Sequence, residues 1–524
     1  MRPCVFRSAL FLAAALLAPA GAAQAPACAP GTAEGTLQAN AVRAQVFNTG
    51  SLFFGGSTTN GDGYLVPRAA VRSPVFAAGL WVGGRVNGEV RVAAARYADF
   101  NFWPGPLTAD GSLPNPSSCA AYDRVYTVSQ QDITAYDNGQ PPTADLRDWP
   151  VALGAEVIDG DGVPGNYNLA GGDRPRLVGA QTAFWVMNDV GRASHPGNGS
   201  APLGIEVQVT AGAITSSIPA LNESTLYRFR IVKKSPGLLS DAYAGVFLDA
   251  DLGNATDDYI GSDSTRALGY AYNADNDDEG PGGYGLAPPA VGIDLLSGAS
   301  GYVPSSSVTS PPDALSVFYN LLRSLNPDGT PLVVGFPGGP TTRWIFAGDP
   351  VAGTFPNEID NGTPTPNLPG DRRSLVNAPR FALAQGDHVD VDVAVVYARG
   401  TDHLNSITRL RQASDIVQAV YDTGVVFPVA GSSGPDAPAA FALSAPRPNP
   451  SRGTAEVSLT TDAPGPARVA VVDVLGREVA VLLDAAVGSG THVLRVAPGL
   501  PAGTYLVVAT GTTGRATQRL TVVR

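Results

Sequence analysis

The sequence has few of the residues that carry the commonest enzyme chemistries. Among 524 residues there are only four histidines and two lysines, Lys233 and Lys234. The histidines lack the His-Glu-x-x-His spacing of zinc peptidases, no lysine lies in a Gly-Lys-Ser/Thr phosphate loop, and no Gly-x-Ser-x-Gly nucleophile elbow occurs. His195 lies in a polar, glycine-containing stretch and is predicted to be a surface residue. These absences argue against zinc-dependent, nucleotide-dependent and serine-hydrolase functions.

Long apolar runs and a basic surface are also missing. Beyond the N-terminus no stretch approaches the roughly 20 apolar residues of a membrane helix, so no transmembrane segment is predicted. The net charge is −12, although the segment after residue 440 has eight arginines against five acidic residues. The acidic excess therefore belongs to the preceding body, which would repel nucleic acid and anionic membrane surfaces.

The N-terminus has the parts of a secretory signal peptide over residues 1–25. Two arginines supply the positive region, an apolar core follows, and Ala23-Gln24-Ala25 fits a cleavage site. Export implies an oxidising compartment, in which the two cysteines left after cleavage form an even pair. We therefore expect a disulfide between Cys28 and Cys119; two free thiols are the alternative.

Strand and turn signals dominate the body, residues 26–426. Asn87-Gly88, the pair preferred in type I′ turns, separates two apolar segments and predicts a hairpin. Further β-branched segments follow after residue 182, and the strict alternation of residues 389–393 predicts a half-buried strand with Asp390 and Asp392 on its wet face.

Only one convincing helix is predicted, from Asp402 to Tyr421, with an apolar stripe along it and Gly424 beyond its end. The sequence thus predicts an all-β protein whose body is an antiparallel β-sandwich with long loops and one helix near its C-terminal end. A subdivision of the body near residue 180 is also considered. A Gly/Ser/Pro-rich linker is predicted over residues 427–440.

Carboxylates alternate with glycines in Asp159-Gly160-Asp161-Gly162, which Asn166, Asn168 and Asp173 follow. Such a loop can turn its oxygens inward around one hard cation, as calcium loops do. Pro164 and the lack of a closing glutamate exclude an EF-hand. We predict a looser calcium site that uses Asp159, Asp161 and Asp173; a solvated Asp-Gly turn is the alternative.

A second acidic stretch begins where an apolar strand ends, at Asp249. Within it Arg266 is the only basic residue. So many like charges destabilise a fold unless solvent or a cation neutralises them. We therefore predict calcium here as well; a wet acidic loop is the alternative. The predicted ligands are Asp249, Asp251, Asp257, Asp258 and Asp263.

The same carboxylates have a catalytic alternative. A glycosidase needs two carboxyl groups flanking the scissile bond, one of them with a raised pKa in an apolar cleft. Four tryptophans offer walls for a sugar site: Trp81, Trp103, Trp185 and Trp344. Acidic residues are so abundant here that finding a pair is weak evidence, and aromatic residues in a sandwich usually belong to its core.

The last segment, residues 441–524, is predicted to be a small immunoglobulin-like sandwich of short strands separated by glycine turns. Three motifs occur in it in order: Pro448-Asn449-Pro450, then Asp473-x-Leu475-Gly476-Arg477, then Gly503-x-Tyr505. In these motifs the segment resembles the C-terminal type A sorting domain of cargo for the type IX secretion system of Bacteroidetes-like bacteria.

That resemblance implies partners and a location. The translocon and sortase of the type IX system would recognise the domain and remove it, leaving the body secreted or on the cell surface. The body itself resembles a family of secreted proteins from the same bacteria that has no assigned activity. Stretches that carry this second likeness include residues 48–54, 76–84 and 101–106.

Together these observations predict a secreted or cell-surface protein without enzymatic activity, working in surface structure, adhesion or ligand binding. Its partners would be a surface glycan or other surface proteins. The alternatives are an extracellular polysaccharide hydrolase that uses paired aspartates, and a glycan-binding module.

Overall fold

The computed structural model describes residues 28–54, 63–70, 72–97, 101–114, 119–306, 313–335, 338–362, 365–427, 441–444, 446–449, 451–461, 464–473, 478–496, 498–501, 503–511 and 514–523. The predicted signal peptide lies outside the described residues. So do residues 428–440 of the linker and four motif residues, Pro450, Leu475, Gly476 and Arg477.

Two large antiparallel sheets form the body. Sheet A has ten strands within the described residues, and its centre is the pair Ala77–Val86 and Leu239–Asp249. Its other strands are Glu34–Leu37, Arg43–Phe47, Ser51–Leu52, Tyr64–Leu65, Glu89–Ala94, Gly301–Ser306, Arg373–Asn377 and Phe381–Leu383.

In the part of the chain that the structure describes, sheet B has nine strands, and residues from both sides of residue 180 contribute to it. Along the sheet they are Asp258–Asp263, Leu268–Asn273, Ala290–Leu295, His388–Ala398, Thr225–Lys233, Ile205–Ala213, Gln181–Asn188 and Trp103–Pro104, with Tyr126–Ser129 also paired to Gln181–Asn188. Short two-stranded ribbons lie outside the large sheets: Val157–Ile158 with Arg174–Pro175, Asp277–Asp278 with Gly285–Leu286, and Leu332–Val333 with Thr341–Thr342.

The main core lies between the two sheets. Val82 and Val246 of sheet A belong to the same buried cluster as Val209, Phe229 and Val393 of sheet B. Burying apolar side chains between two faces is the dominant stabilising contribution in such a fold, on the order of 25 cal/mol per Å² of apolar surface. The body is therefore an all-β sandwich, as predicted.

Helices and loops cover much of the outer faces of the sheets. Helix His403–Tyr421 packs on sheet B, and helix Leu315–Leu322 packs on sheet A against Trp81 and Phe247. Strands such as Gln181–Asn188 are consequently buried at every position rather than at alternate ones. The remaining helices are short: Gln130–Asp137, Ala144–Arg147 and Pro219–Asn222, with 3₁₀ turns at Cys119–Tyr122, Val151–Leu153 and Leu169–Gly171.

The covered outer face contradicts the prediction that both aspartates of residues 389–393 are wet. Asp392 is buried: it accepts hydrogen bonds from Arg228 at 2.7 and 2.8 Å and from Tyr421 at 2.7 Å. Asp390 pairs with Arg230 on the neighbouring strand. The alternation correctly predicts a strand, but the face that carries the two aspartates lies partly under the long helix.

The C-terminal segment forms two small sheets with a core of their own. Strands Phe441–Leu443, Ala455–Thr461 and Gly490–Val496 make one sheet. Strands Gly465–Asp473, Glu478–Val487, Gly503–Gly511 and Gly514–Val522 make the other. Leu459, Val469 and Val507 are among the side chains that pack between them. This is a second sandwich with its own core.

Candidate metal centre

Three carboxylates meet at one end of sheet A, where they form what we call the acidic centre: Asp249, Asp251 and Asp371. Asp249 is the last residue of its strand and pairs in register with Arg373. Asp251 follows two residues later, and Asp371 precedes Arg373 by two residues. One carboxylate oxygen from each aspartate lies within 4.8 Å of the other two. The antiparallel register therefore joins segments that are about 120 residues apart in sequence.

Asp249 is the most buried member, with its side chain 1% exposed. Its Oδ2 accepts a hydrogen bond from the Tyr97 hydroxyl at 2.6 Å and another from Arg373 Nε at 3.1 Å. Its Oδ1 is inaccessible to solvent and has no hydrogen-bond partner among the described residues. A buried carboxylate oxygen without a partner is costly, so this atom points to a ligand.

Asp371 repeats this pattern. Its Oδ2 lies 2.8 Å from Arg373 Nη2, while its Oδ1 is buried without a partner in the described part of the chain. Arg373 thus bridges two carboxylates of the centre, and Asp251 adds a third. With all groups ionised, three negative charges face one positive charge.

The local environment raises the pKa values of Asp249 and Asp251. Burial raises the pKa of Asp249 to about 6, although Tyr97 and Arg373 oppose it. Burial and then the charges of Asp249 and Asp371 raise the pKa of Asp251 to about 7. The charged forms are therefore disfavoured unless a proton or a cation compensates them.

Aromatic rings form one wall beside the centre. Phe54, Phe76 and Tyr97 lie in mutual contact, with ring centroids 5.2 to 6.0 Å apart. Tyr97 also packs edge-on against Phe247 of the central strand. These ring contacts hold Tyr97 where its hydroxyl donates to Asp249.

The other predicted ligands of this stretch do not join the acidic centre. No group of three close metal-ligating side chains among the described residues includes Asp257, Asp258 or Asp263. Asp258 is fully buried; its Oδ2 accepts from the Leu252 amide at 3.1 Å, and burial raises its pKa well above the usual value. Burial also raises the pKa of Asp257.

Asp263 is balanced by protein cations. It pairs with Arg266 at 2.8 Å and lies 3.6 Å from Arg411. Burial alone would raise its pKa, but hydrogen bonds from Thr265 and Arg266 outweigh burial and lower it. The sequence could not indicate Arg411, which lies on the long helix.

The first predicted loop brings Asp159, Asp161 and Asp173 together, again within 4.8 Å. Here the oxygens are occupied by the loop itself. Asp173 accepts from the amides of Gly160 at 2.9 Å and Asn168 at 2.7 Å, and Asp161 accepts from the side-chain amides of Asn166 and Asn168 at 3.1 and 3.0 Å. A cation in this loop would have to displace these hydrogen bonds. Calcium at this loop stays a prediction.

Cys28 and Cys119 form a disulfide, with their Cα atoms 5.8 Å apart. The sulfur atoms pack with Trp103 in a small buried cluster at the edge of sheet B. The bridge links the N-terminal segment to the body across 91 residues.

His195 is buried, so its predicted place on the surface was wrong. Its Nδ1 lies 2.7 Å from the Val92 carbonyl oxygen, its Nε2 lies 2.8 Å from the Asp189 carbonyl oxygen, and its ring stacks on Trp103. The Asp189 carboxylate is also buried and accepts from the amides of Leu203, Gly204 and Ile205. The loop looked exposed because its polar residues satisfy one another internally, which the sequence does not reveal.

The tryptophans considered for a sugar site lie mostly in the interior. Trp81, Trp103 and Trp185 are buried, and Trp344 is half-buried against the main core. The three buried rings therefore offer no exposed face on which a sugar could stack.

The described motif residues of the C-terminal sandwich lie at its entry and in its strands. Asn449 Oδ1 accepts from the Thr521 amide at 2.8 Å, which ties the entry of the domain to its last strand. Tyr505 is buried and donates to the Pro501 carbonyl oxygen at 2.8 Å. Pro448 precedes Asn449 at the exposed entry, Asp473 ends one strand, and Gly503 begins another.

Comparison with known proteins gives no family. No family model matches the chain, and no curated protein matches it either. Solved structures give weak likenesses only. A polysaccharide lyase aligns with 60% of this chain and 34% of its own length, at 7% identity and a TM-score of 0.20. Dimeric latent PorU from Porphyromonas gingivalis aligns with 65% of this chain and 31% of its own length, at 12% identity and a TM-score of 0.13.

A biofilm-associated protein BSP domain aligns with 66% of this chain and 59% of its own, at 9% identity and a TM-score of 0.13. The chain thus spans about a third of the length of the first two structures. Such values carry no functional argument. Separately, within the described residues no helix has both the length and the hydropathy needed to span a membrane.

Proposed function

We propose that this protein is exported to the outside of the cell through the general secretory route and then the type IX system, and that its body works there as a structural, adhesive or ligand-binding protein. The observation that carries the proposal is the C-terminal sandwich. It has its own core and contains, in order, the three motifs that resemble a type A sorting domain. A separate terminal domain is what a translocon could recognise and a sortase could remove without disturbing the body.

A non-enzymatic body is supported by the state of its acidic residues and tryptophans. Asp263, Asp390 and Asp392 are neutralised by arginines, and four of the five tryptophans are buried. The raised pKa values of Asp249 and Asp251 favour the hydrolase alternative, because a general acid needs such a group. Turnover of a polysaccharide panel that Asp251→Asn abolishes would favour that alternative.

Export is tested with the full chain and with a chain that ends at residue 440, both expressed in a bacterium with a working type IX system. We expect the full chain on the cell surface or in the medium, shortened by the mass of the C-terminal domain. The truncated chain should stay in the periplasm, because it lacks the proposed address.

The matched control is the full chain in a strain without the translocon, which should also retain it in the periplasm. Export of the truncated chain, or translocon-independent export of the full chain, would contradict the proposal. Immunodetection in separated periplasmic, surface and medium fractions gives the readout.

A further inference from the structure

We propose that Asp249, Asp251 and Asp371 form a calcium-binding centre. The ion would fasten the end of strand Leu239–Asp249 to the start of strand Arg373–Asn377. The inference concerns the body alone and holds or fails independently of the export route. It rests on the mutual approach of the three carboxylates and on the buried, unpartnered Oδ1 of Asp249.

The charges of the centre match a divalent cation. Three carboxylates and the single guanidinium of Arg373 leave two negative charges when all groups are ionised. Arg373 occupies Oδ2 of Asp249 and Oδ2 of Asp371, which leaves Oδ1 of each free to bind a metal ion. A divalent cation would restore neutrality and give these oxygens a partner.

The surroundings favour calcium over magnesium. Calcium accepts six to eight oxygens in irregular arrangements, whereas magnesium keeps several of its waters and demands a strict octahedron. Asp249 is almost wholly buried, which disfavours an ion that keeps several of its waters. The three carboxylates would supply oxygen ligands from the protein.

The ion would hold together parts of the fold that are distant in sequence. Asp371 lies at the end of the long segment that connects strand Gly301–Ser306 to strand Arg373–Asn377 of sheet A. Calcium would hold the end of this segment against Asp249, beside the hydrogen-bonded pairing of strands Leu239–Asp249 and Arg373–Asn377. We therefore expect the ion to stabilise the body rather than to take part in catalysis.

The test uses the full chain after the signal peptide, freed of metal with chelator. Terbium, which occupies calcium sites, is added, and its luminescence is excited through tyrosine; Tyr97 lies against Asp249 and serves as the antenna. We expect a saturable luminescence signal from bound terbium. Calcium should abolish this signal by displacing terbium, and magnesium should leave it unchanged. Calcium should bind with a Kd of about 10⁻³ M or tighter, the range of extracellular modules, and raise the melting temperature by mass action.

Three variants locate the site. Asp371→Asn and Asp251→Asn should each weaken calcium binding at least about tenfold. Asp277→Asn removes an exposed carboxylate from the same acidic stretch and should leave the affinity unchanged. Asp251 is half-buried, so its variant is expected to fold even if Asp371→Asn does not; circular dichroism verifies both.

Two results would overturn the proposal. One is the absence of calcium binding below about 10⁻² M, well beyond the range of extracellular sites. The other is binding that survives Asp251→Asn in a folded protein. If Asp161→Asn instead abolished that binding, the cation would belong to the Asp159 loop.

Discussion

At the scale of single residues, His195 links its loop to the neighbouring strand. Both ring nitrogens lie within hydrogen-bond distance of backbone carbonyl oxygens, that of Val92 at 2.7 Å and that of Asp189 at 2.8 Å. The Asp189 carboxylate lies 3.5 Å from Nε2, and burial raises the pKa of this carboxyl group. The buried ring therefore cross-links the loop to the Val92 strand.

Replacing His195 by phenylalanine should therefore destabilise the body strongly. The substitution keeps an aromatic ring on Trp103 but removes the ring nitrogens from both carbonyl oxygens. The Val92 oxygen keeps only the Asn198 side-chain amide, at 3.3 Å. Each buried polar group left unsatisfied costs about 1–3 kcal/mol. Urea denaturation followed by fluorescence measures the loss. His388→Phe, at an exposed position, should change the stability by less than about 0.5 kcal/mol. A small effect at His195 would show that its two backbone hydrogen bonds contribute little.

Asp258→Asn should make the chelated protein more stable, and more so at higher pH. Burial raises the folded-state pKa of Asp258 well above its unfolded value. Between the two pKa values the folded chain holds a proton that the unfolded chain has lost, so this group lowers stability as pH rises above about 4. Asparagine removes the charge and can still accept from the Leu252 amide.

Thermal melts of both proteins from pH 4 to pH 8, in chelator, give the measurement. The variant should gain over the wild type with rising pH, and the two should converge near pH 4. A variant that is less stable at pH 8 would mean that the Asp258 carboxylate is compensated by a group that the described residues do not include.

At the scale of elements, local signals were readable from the sequence. The hairpin was predicted from Asn87-Gly88, and both residues adopt the positive φ of a type I′ turn, 54° and 83°. The long helix was predicted from its stripe and cap. It spans His403–Tyr421, with the Asp402 side chain accepting from the Asn405 amide. Each signal lies within a few residues, so no tertiary information was needed.

Contacts between distant elements were not readable. Asp371 was not among the predicted ligands, because only the register of two strands brings it to Asp249. Asp392 was expected to be wet, because nothing near it in sequence shows that Tyr421 and Arg228 cover it. Sequence patterns define the face of a strand but not what packs on that face.

The disulfide should contribute more than any single contact of the N-terminal segment. It closes a loop with a sequence separation of 91 residues, and removing a bridge of that kind costs about 2–5 kcal/mol. The double variant Cys28→Ser/Cys119→Ser should therefore melt at a lower temperature than the oxidised protein. Reduction of the wild type should reproduce that shift and leave the double variant unaffected; equal melting of all forms would contradict this expectation.

At the scale of the whole molecule, two separate cores predict two unfolding transitions. Val246 lies in the core of the body and Val469 in that of the C-terminal sandwich. Each substitution by alanine should cost about 2 kcal/mol and lower only one transition, because the two cores share no side chains. Scanning calorimetry of the two variants and the parent tests this. A single transition that both variants lower would mean that the domains unfold together.

The Cys28–Cys119 bridge also sets an order of events for the newly made chain. Thiols remain reduced in a bacterial cytoplasm, and disulfides form only beyond it. On the export route proposed above, the segment at Cys28 would lack its covalent tie to Cys119 until the chain has left the cytoplasm. The fold would then mature in stages, because the chain would cross the inner membrane first and the Cys28 segment would be fastened beside Trp103 only on the other side.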